Sequence, residues 1–304
     1  MTISAVDLDK PAMGPAFTGI STGRKVKNGI ATGLVTLAFL VALVPLVWVL
    51  WTVIQYGLSV VLRPGWWTQS LNGLLGRQQG GGAYHAIFGT LAQGLIAGVI
   101  ATPLGIMVAI YLVEYGAKTK LARATTFMVD ILTGVPSIVA ALFVYAIWIS
   151  ILGLGRSAFA VSLALVLLMV PVVVRSAEEM LRIVPDDLRE ASYALGVPKW
   201  KTIMKVVIPT ALSGILTGVA LALARIMGET APVLILVAYA PYINFNIFSG
   251  NMASLPLLMT VERSNPSDAG MDRIWGAAIT LILIITVFQL IAAVLSRVTA
   301  PKTK

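Results

Sequence analysis

The chain has 304 residues, 58% of them hydrophobic and only 12% charged. A water-soluble globular domain carries about 25% charged residues, so the composition excludes that class and points to a membrane protein. With no cysteine, disulfides, thiolate metal centres and cysteine nucleophiles are excluded, and the net charge of +9 is read below from where the charges fall.

Residues 1–29 read as a cytoplasmic tail, rich in Pro, Gly, Ser and Thr until Arg24-Lys25-Val26-Lys27. The first apolar run follows at about 30–54. It is too long for a signal peptide and no small-residue cleavage site comes after it, so residues 30–56 are expected to be an uncleaved first transmembrane helix. Residues 57–85 form a polar outer loop, with Trp66-Trp67 suited to a membrane interface and Gly80-Gly81-Gly82 to a turn. The core, residues 86–298, holds five further stretches of span length at about 86–113, 131–155, 157–174, 211–238 and 274–296. The third and fourth are parted only by Gly153-Leu154-Gly155-Arg156. Prolines lie within several spans. At Gly134-Val135-Pro136-Ser137 a packing kink is expected, with an unwound turn as the alternative. A second short tail covers 299–304. The fold class is therefore all-α, with six transmembrane helices.

Sixteen of the 22 Lys and Arg fall in the two tails, in the loops 114–125 and 175–209, or, as Arg297, just before the second tail. Positive charge gathers on the cytoplasmic side of a membrane protein, so both termini are expected inside. The basic excess is then a matter of topology, and nucleic acid is not an expected partner.

The loop at about 176–209 is the most informative segment. Asp187 and Glu190 are spaced as a capping box, and Leu188, Ala191, Ser192 and Leu195 share one helical face. Gly196, before Val197-Pro198, ends that helix, and Pro198 opens a second one in which Trp200, Ile203, Met204, Val207 and Ile208 repeat at helical spacing. An ordinary amphipathic loop would show the same periodicity. However, the order Glu190-Ala191-Ser192, then Gly196, then Val206-Val207-Ile208-Pro209 resembles the EAA loop of ABC importer permeases, where the membrane subunit docks on a separate ATPase. Ser192, Val206 and Ile208 depart from that pattern by changes that conserve size.

The fifth span contains Ala224-Arg225-Ile226-Met227-Gly228-Glu229-Thr230-Ala231-Pro232. A charge at mid-membrane costs roughly 2.5–3.5 kcal/mol on insertion scales. Arg225 and Glu229, at i and i+4, are expected to pair on one helix face. This string after an EAA loop resembles the phosphate-specific transport (Pst) permeases, and its Thr-Ala-Pro ending is similar to their PstA branch. Leu132-Thr133-Gly134-Val135-Pro136-Ser137 and Met252-Ala253-Ser254-Leu255-Pro256 agree with it, over about residues 84–300.

The resemblance implies a type I ABC importer permease of MetI-like fold in the bacterial inner membrane. Its partners would be a second, PstC-like permease, a PstB-like ATPase dimer and a phosphate-binding protein. Arg225, Glu229 and Thr230 would line the phosphate path, and Glu190, Ala191, Ser192, Gly196 and Pro198 would couple to the ATPase. No Gly-x-x-x-x-Gly-Lys-Ser/Thr segment occurs, and Gly19 to Lys25 has the wrong spacing for one. ATP is then bound by the partner subunit, and this chain is neither an enzyme by itself nor the holder of a cofactor. A sulfate or molybdate permease would share this architecture. A channel or secondary transporter would explain Arg225 and Glu229 but not the docking loop, and a membrane scaffold would need neither feature.

Other residues carry blander readings. His85, the single histidine, reads as an interface residue, and Asp130 as a helix-start acid. Glu178-Glu179 and Asp186-Asp187, flanked by Arg175, Arg182 and Arg189, read as surface ion pairing or partner contact. Met252, Met259 and Met271 propose no metal.

Overall fold

The computed structural model describes residues 22–116 and 119–299. The two expected tails lie mostly outside that range. The chain divides into two units, residues 1–52 and 53–304. The described part of the first is the leading stretch of helix α1 (Thr22–Val61), whose side chains are exposed almost throughout. A helix that is apolar all round suits lipid rather than water.

The second unit is a bundle. Within it Val53, Gly57, Val60 and Val61 of α1 are buried. There follow α2 (Tyr84–Ile110), running on into a π-helical turn at Tyr111–Tyr115, then α3 (Lys120–Thr133) and α4 (Ser137–Val144), with a second π-helical stretch at Tyr145–Ile151. Next come α5 (Ala158–Ile183) and the short α6 (Asp186–Ala194) and α7 (Lys199–Thr202). A third π-helical turn, Ile203–Val207, joins α7 to α8 (Ile208–Met227). The chain ends with α9 (Ala231–Leu236), α10 (Leu255–Glu262) and α11 (Asp268–Thr299). Five helical runs are long and apolar enough to cross a membrane, or six with the bent pair α3/α4 taken as one.

Contacts decide that α3/α4 is one crossing. Near their starts, Ser162 Oγ of α5 donates to the Gln93 carbonyl of α2 at 3.2 Å. Near their ends, Ala109 clusters with Ala177 and Leu181. The two helices are therefore parallel, and the chain between them must return from one end to the other. It does so through a 106° bend, where Gly134 closes α3 and Pro136, in extended backbone, starts α4. The expected packing kink at Gly134–Pro136 is thus a full break. The fifth span, expected as one run over 211–238, is also broken, between Met227 and Ala231. Both breaks follow from a glycine that closes one helix and a proline that admits only a new start.

Small residues set the packing, as they do where helices meet in lipid. Gly89, Gly94, Ala97, Gly98, Ala101 and Gly105 are all on the buried side of α2. At Gly89 a Cβ would lie 1.8 Å from the Ala253 carbonyl oxygen, so only glycine admits that strand of chain. α8 runs antiparallel to α5, with Gly218 against Ser176 and Gly214 against Met180. α11 is antiparallel to α8, through Ser296 Oγ on the Ser213 carbonyl at 3.0 Å and Gln289 Nε2 on the Ala220 carbonyl at 3.4 Å.

The end of the bundle holding residues 62–83 is tied by a buried ion pair. Arg273 Nη1 meets Glu262 Oε1 at 3.1 Å and also donates to the Gly76 carbonyl, while Nη2 donates to the Gln78 carbonyl at 2.7 Å. His85, expected at an interface, is buried inside this end, with Nε2 3.3 Å from the Tyr239 hydroxyl.

Candidate coupling loop and transport path

The loop between α5 and α8 is a compact helix–turn–helix at the opposite end of the bundle. α6 starts after Pro185, with Asp186 and Asp187 in its first turn, where acids suit the helix dipole, and no side chain caps it. The expected capping box on Asp187 is therefore absent. The helix closes as the spacing suggested. Gly196 lies at φ +74°, its N–H bonds the Tyr193 carbonyl at 2.9 Å, and the Val197 N–H bonds the Ser192 carbonyl at 3.2 Å. This is the Schellman closure, which favours glycine at the left-handed position. Pro198 caps α7.

The candidate coupling residues divide by burial. Glu190, Ala191, Gly196 and Pro198 are exposed. Ser192 is buried, and its hydroxyl hydrogen-bonds Thr202 Oγ1 at 2.8 Å. Serine in place of the pattern's alanine thus staples α6 to α7 and is not on the outward face. The face expected for Leu188, Ala191, Ser192 and Leu195 splits accordingly, with Leu195 83% exposed. Trp200 and Met204 are exposed beside it, while Ile203 and Val207 are buried against the bundle.

Sequence reasoning missed what holds this loop down. Arg189 does make the expected surface pair, with Asp186 Oδ1 at 3.1 Å, but it is also a buried hub. It reaches Glu114 Oε1 through Nη2 at 2.8 Å and Nε at 3.1 Å, and it donates to the Val184 and Leu181 carbonyls at 2.7 and 3.0 Å. The pair is buried, at 12% and 5% side-chain exposure. Lys199 Nζ bonds the Glu114 carbonyl. Nearby, Arg175 bridges Asp130 and Glu178, and Arg182 also meets Glu178 at 2.8 Å. Asp130 is therefore an ion-pair partner late in α3, not a helix-start acid.

At the other end of α8 the charged string is reorganised by the helix break. Arg225 lies in the last turn of α8 and is exposed. Gly228 closes the helix, and Glu229 sits in the break, half-buried. Thr230 starts α9 without capping it through its side chain. The expected i, i+4 pairing of Arg225 with Glu229 is not formed. The helix ends before residue 229, and among the described residues neither side chain makes an ion pair. Gly228 and Pro232 were the sequence signals for that break.

Beneath the break lies a cavity of about 10 Å³, lined by Gln93, Leu165, Met227, Glu229, Val233 and Ser254 among others. That is room for about one water-sized atom. Gln93 in α2 was also missed, although a lone amide in an apolar run is itself a signal.

The helix–turn–helix loop, the broken fifth helix and the parallel α2/α5 pair all invite comparison with known importers. The family described as "Binding-protein-dependent transport system inner membrane component" matches residues 101–304. A phosphate transport system permease protein, PstA 1, of Mycobacterium tuberculosis is 57% identical over 97% of this chain and 95% of its own. PstA of Mycobacterium leprae is 57% identical over 94% of each, and PstA of Yersinia pestis 40% identical over 92% of each. The chain belongs to the PstA family of binding-protein-dependent transport permeases. Among solved structures, the inward-facing MetNI methionine ABC transporter matches at a TM-score of 0.60, with 19% identity over 71% of this chain and 95% of that one. An alginate importer matches at 0.56 over 90% and 98%, with 15% identity. These two likenesses establish the type I importer permease fold. The protein is a multi-pass membrane permease of the ABC importer class, and the ATPase of such a system is a separate subunit.

Proposed function

We propose that this chain forms half of the translocation path of an ATP-driven phosphate importer, with both termini in the cytoplasm. Its partners are a second, PstC-like permease, a PstB-like ATPase dimer and a phosphate-binding protein. One observation carries the reading. The helical run Lys199–Met227 connects the docking turn at Gly196 to the break that holds Glu229, with Arg225 in the last turn before it. At about 1.5 Å per residue this lever is roughly 40 Å long. A push delivered by the ATPase at the turn reaches the break as a rigid-body motion. An exposed guanidinium at the break offers forked donors to an oxyanion. Glu229 balances it when the anion is absent, and Thr230 contributes a hydroxyl. Glu190 and Ala191 provide the polar and the close contact to the ATPase.

Sulfate or molybdate remain the rival cargoes, since the lever and guanidinium would serve any tetrahedral oxyanion. Identity of 57% to permeases named for phosphate supports phosphate. The test is labelled uptake in cells from which this chain has been deleted. Phosphate uptake should be lost and restored by the gene, with sulfate and molybdate uptake unchanged. Loss of either of those instead would reassign the cargo.

A further inference from the structure

The reading of Glu229 as a path residue leaves two neighbours unexplained. Among the described residues Gln93 Nε2 and Ser254 Oγ have no hydrogen-bond partner, and the two residues are only 2% and 1% exposed. Buried polar groups are almost always satisfied, and one left over marks a role still to be filled. Both side chains line the cavity beneath the helix break, and so does Glu229, whose carboxylate bonds nothing else among the described residues. Thr90 lines it too, but its hydroxyl is already used, donating to the Ala86 carbonyl and accepting from the Leu255 N–H. The remaining lining is apolar or glycine.

Size decides what the two donors await. At about 10 Å³, the cavity admits one water-sized atom. Phosphate, a tetrahedron of oxygens, is far too large, whereas one carboxylate oxygen fits. We propose that Gln93 and Ser254 form a buried receptor for the Glu229 carboxylate, which it occupies in one state of the transport cycle and leaves in another. Gln93 and Ser254 are thus positioning residues for Glu229. With the carboxylate drawn into the receptor, Arg225 faces the path with its charge uncompensated and available to the anion. With the carboxylate released, it shields Arg225 and the anion is let go. Hydrogen bonds from an amide and a hydroxyl to a carboxylate are strong enough to hold it and weak enough to exchange.

The test is a double-mutant cycle on the assembled transporter in proteoliposomes, reading maximal phosphate uptake and the ATPase rate stimulated by saturating binding protein. Gln93→Leu and Ser254→Ala should each lower maximal uptake about tenfold with subunit assembly unchanged, and Gln93→Asn should retain more uptake than Gln93→Leu. In a Glu229→Gln background the same two substitutions should change either rate less than about twofold, because the group they position is gone. Effects that multiply across the two backgrounds overturn the proposal, as does wild-type uptake by Gln93→Leu. Loss of assembly in step with uptake overturns it also, since that is the behaviour of a bridging structural water. If the wild-type complex moves no phosphate, the assignment of cargo fails, while the cycle read on ATPase rate still decides the receptor.

Discussion

Among the described residues Arg225, in the last turn of a membrane helix, makes no ion pair; five other arginines do. Arg63, Arg175, Arg182, Arg189 and Arg273 each meet a carboxylate. An unpaired guanidinium at the end of a membrane helix is costly to insert and is kept where it faces a path or a partner. Arg225→Gln keeps the size and a neutral donor but removes the charge. We expect it to abolish phosphate uptake while the ATPase subunit is still pulled down at wild-type yield. Failure to assemble would make Arg225 a structural residue, and uptake at the wild-type rate would remove it from the path. Glu229→Gln should be milder, or should leave ATP hydrolysis running without delivery. Arg189 makes the opposite case. Arg189→Ala strands the buried Glu114 carboxylate, a loss of about 3–5 kcal/mol for a buried pair broken on one side. Here assembly itself should fail, seen as a lowered melting temperature and weak ATPase pull-down. Replacing both partners by apolar residues should recover most of the stability.

Among elements, the helix–turn–helix at 186–207 and the broken α8/α9 show what sequence can and cannot tell. The closure at Gly196 was legible because it is local: a helical pattern, then glycine, then Val-Pro. The break at Gly228 carried equally local signals, yet the apolar run across it reads as one span, and the i, i+4 spacing of Arg225 and Glu229 made a pair plausible. Hydropathy is blind to helix breaks, because lipid rewards apolar side chains whichever way the backbone turns. The Glu114–Arg189 clamp and the Gln93–Ser254 pocket join positions far apart in the chain, and no spacing rule links them. At Gly196 the element gives a graded prediction. A Cβ there would meet nothing within 4 Å, so the whole cost is the left-handed backbone at φ +74°, about 1–3 kcal/mol for a residue other than glycine. Gly196→Val should insert at normal abundance but lose uptake as the turn reshapes. Gly196→Asn, which tolerates that conformation, should keep more activity than Val. Equal uptake by the Val variant and wild type at matched abundance would detach this turn from coupling.

On the scale of the whole molecule, direction is the informative quantity. α2 and α5 run parallel, α8 and α11 run antiparallel to their neighbours, and the bent α3/α4 pair supplies the missing return. A re-entrant α3/α4 hairpin would leave α5 antiparallel to α2, contrary to the Ser162–Gln93 contact near their starts. The crossings after residue 83 therefore number an odd five: α2, the bent pair, α5, the broken α8/α9 run and α11. They carry the chain from the end holding Gly81 to the end holding the α11 C-terminus. Positive charge then assigns the sides. The end with α6 and α7 holds Arg175, Arg182, Arg189, Lys199, Lys201 and Lys205, which supports the proposed cytoplasmic placement of that end. Reporter fusions give the test. A periplasm-active reporter at Gly81 should signal strongly and the same reporter at Lys199 should be silent, with a cytoplasm-active reporter giving the reverse. Matching signals at the two positions would mean that the bent pair does not cross, and would remove the coupling loop from the ATPase side.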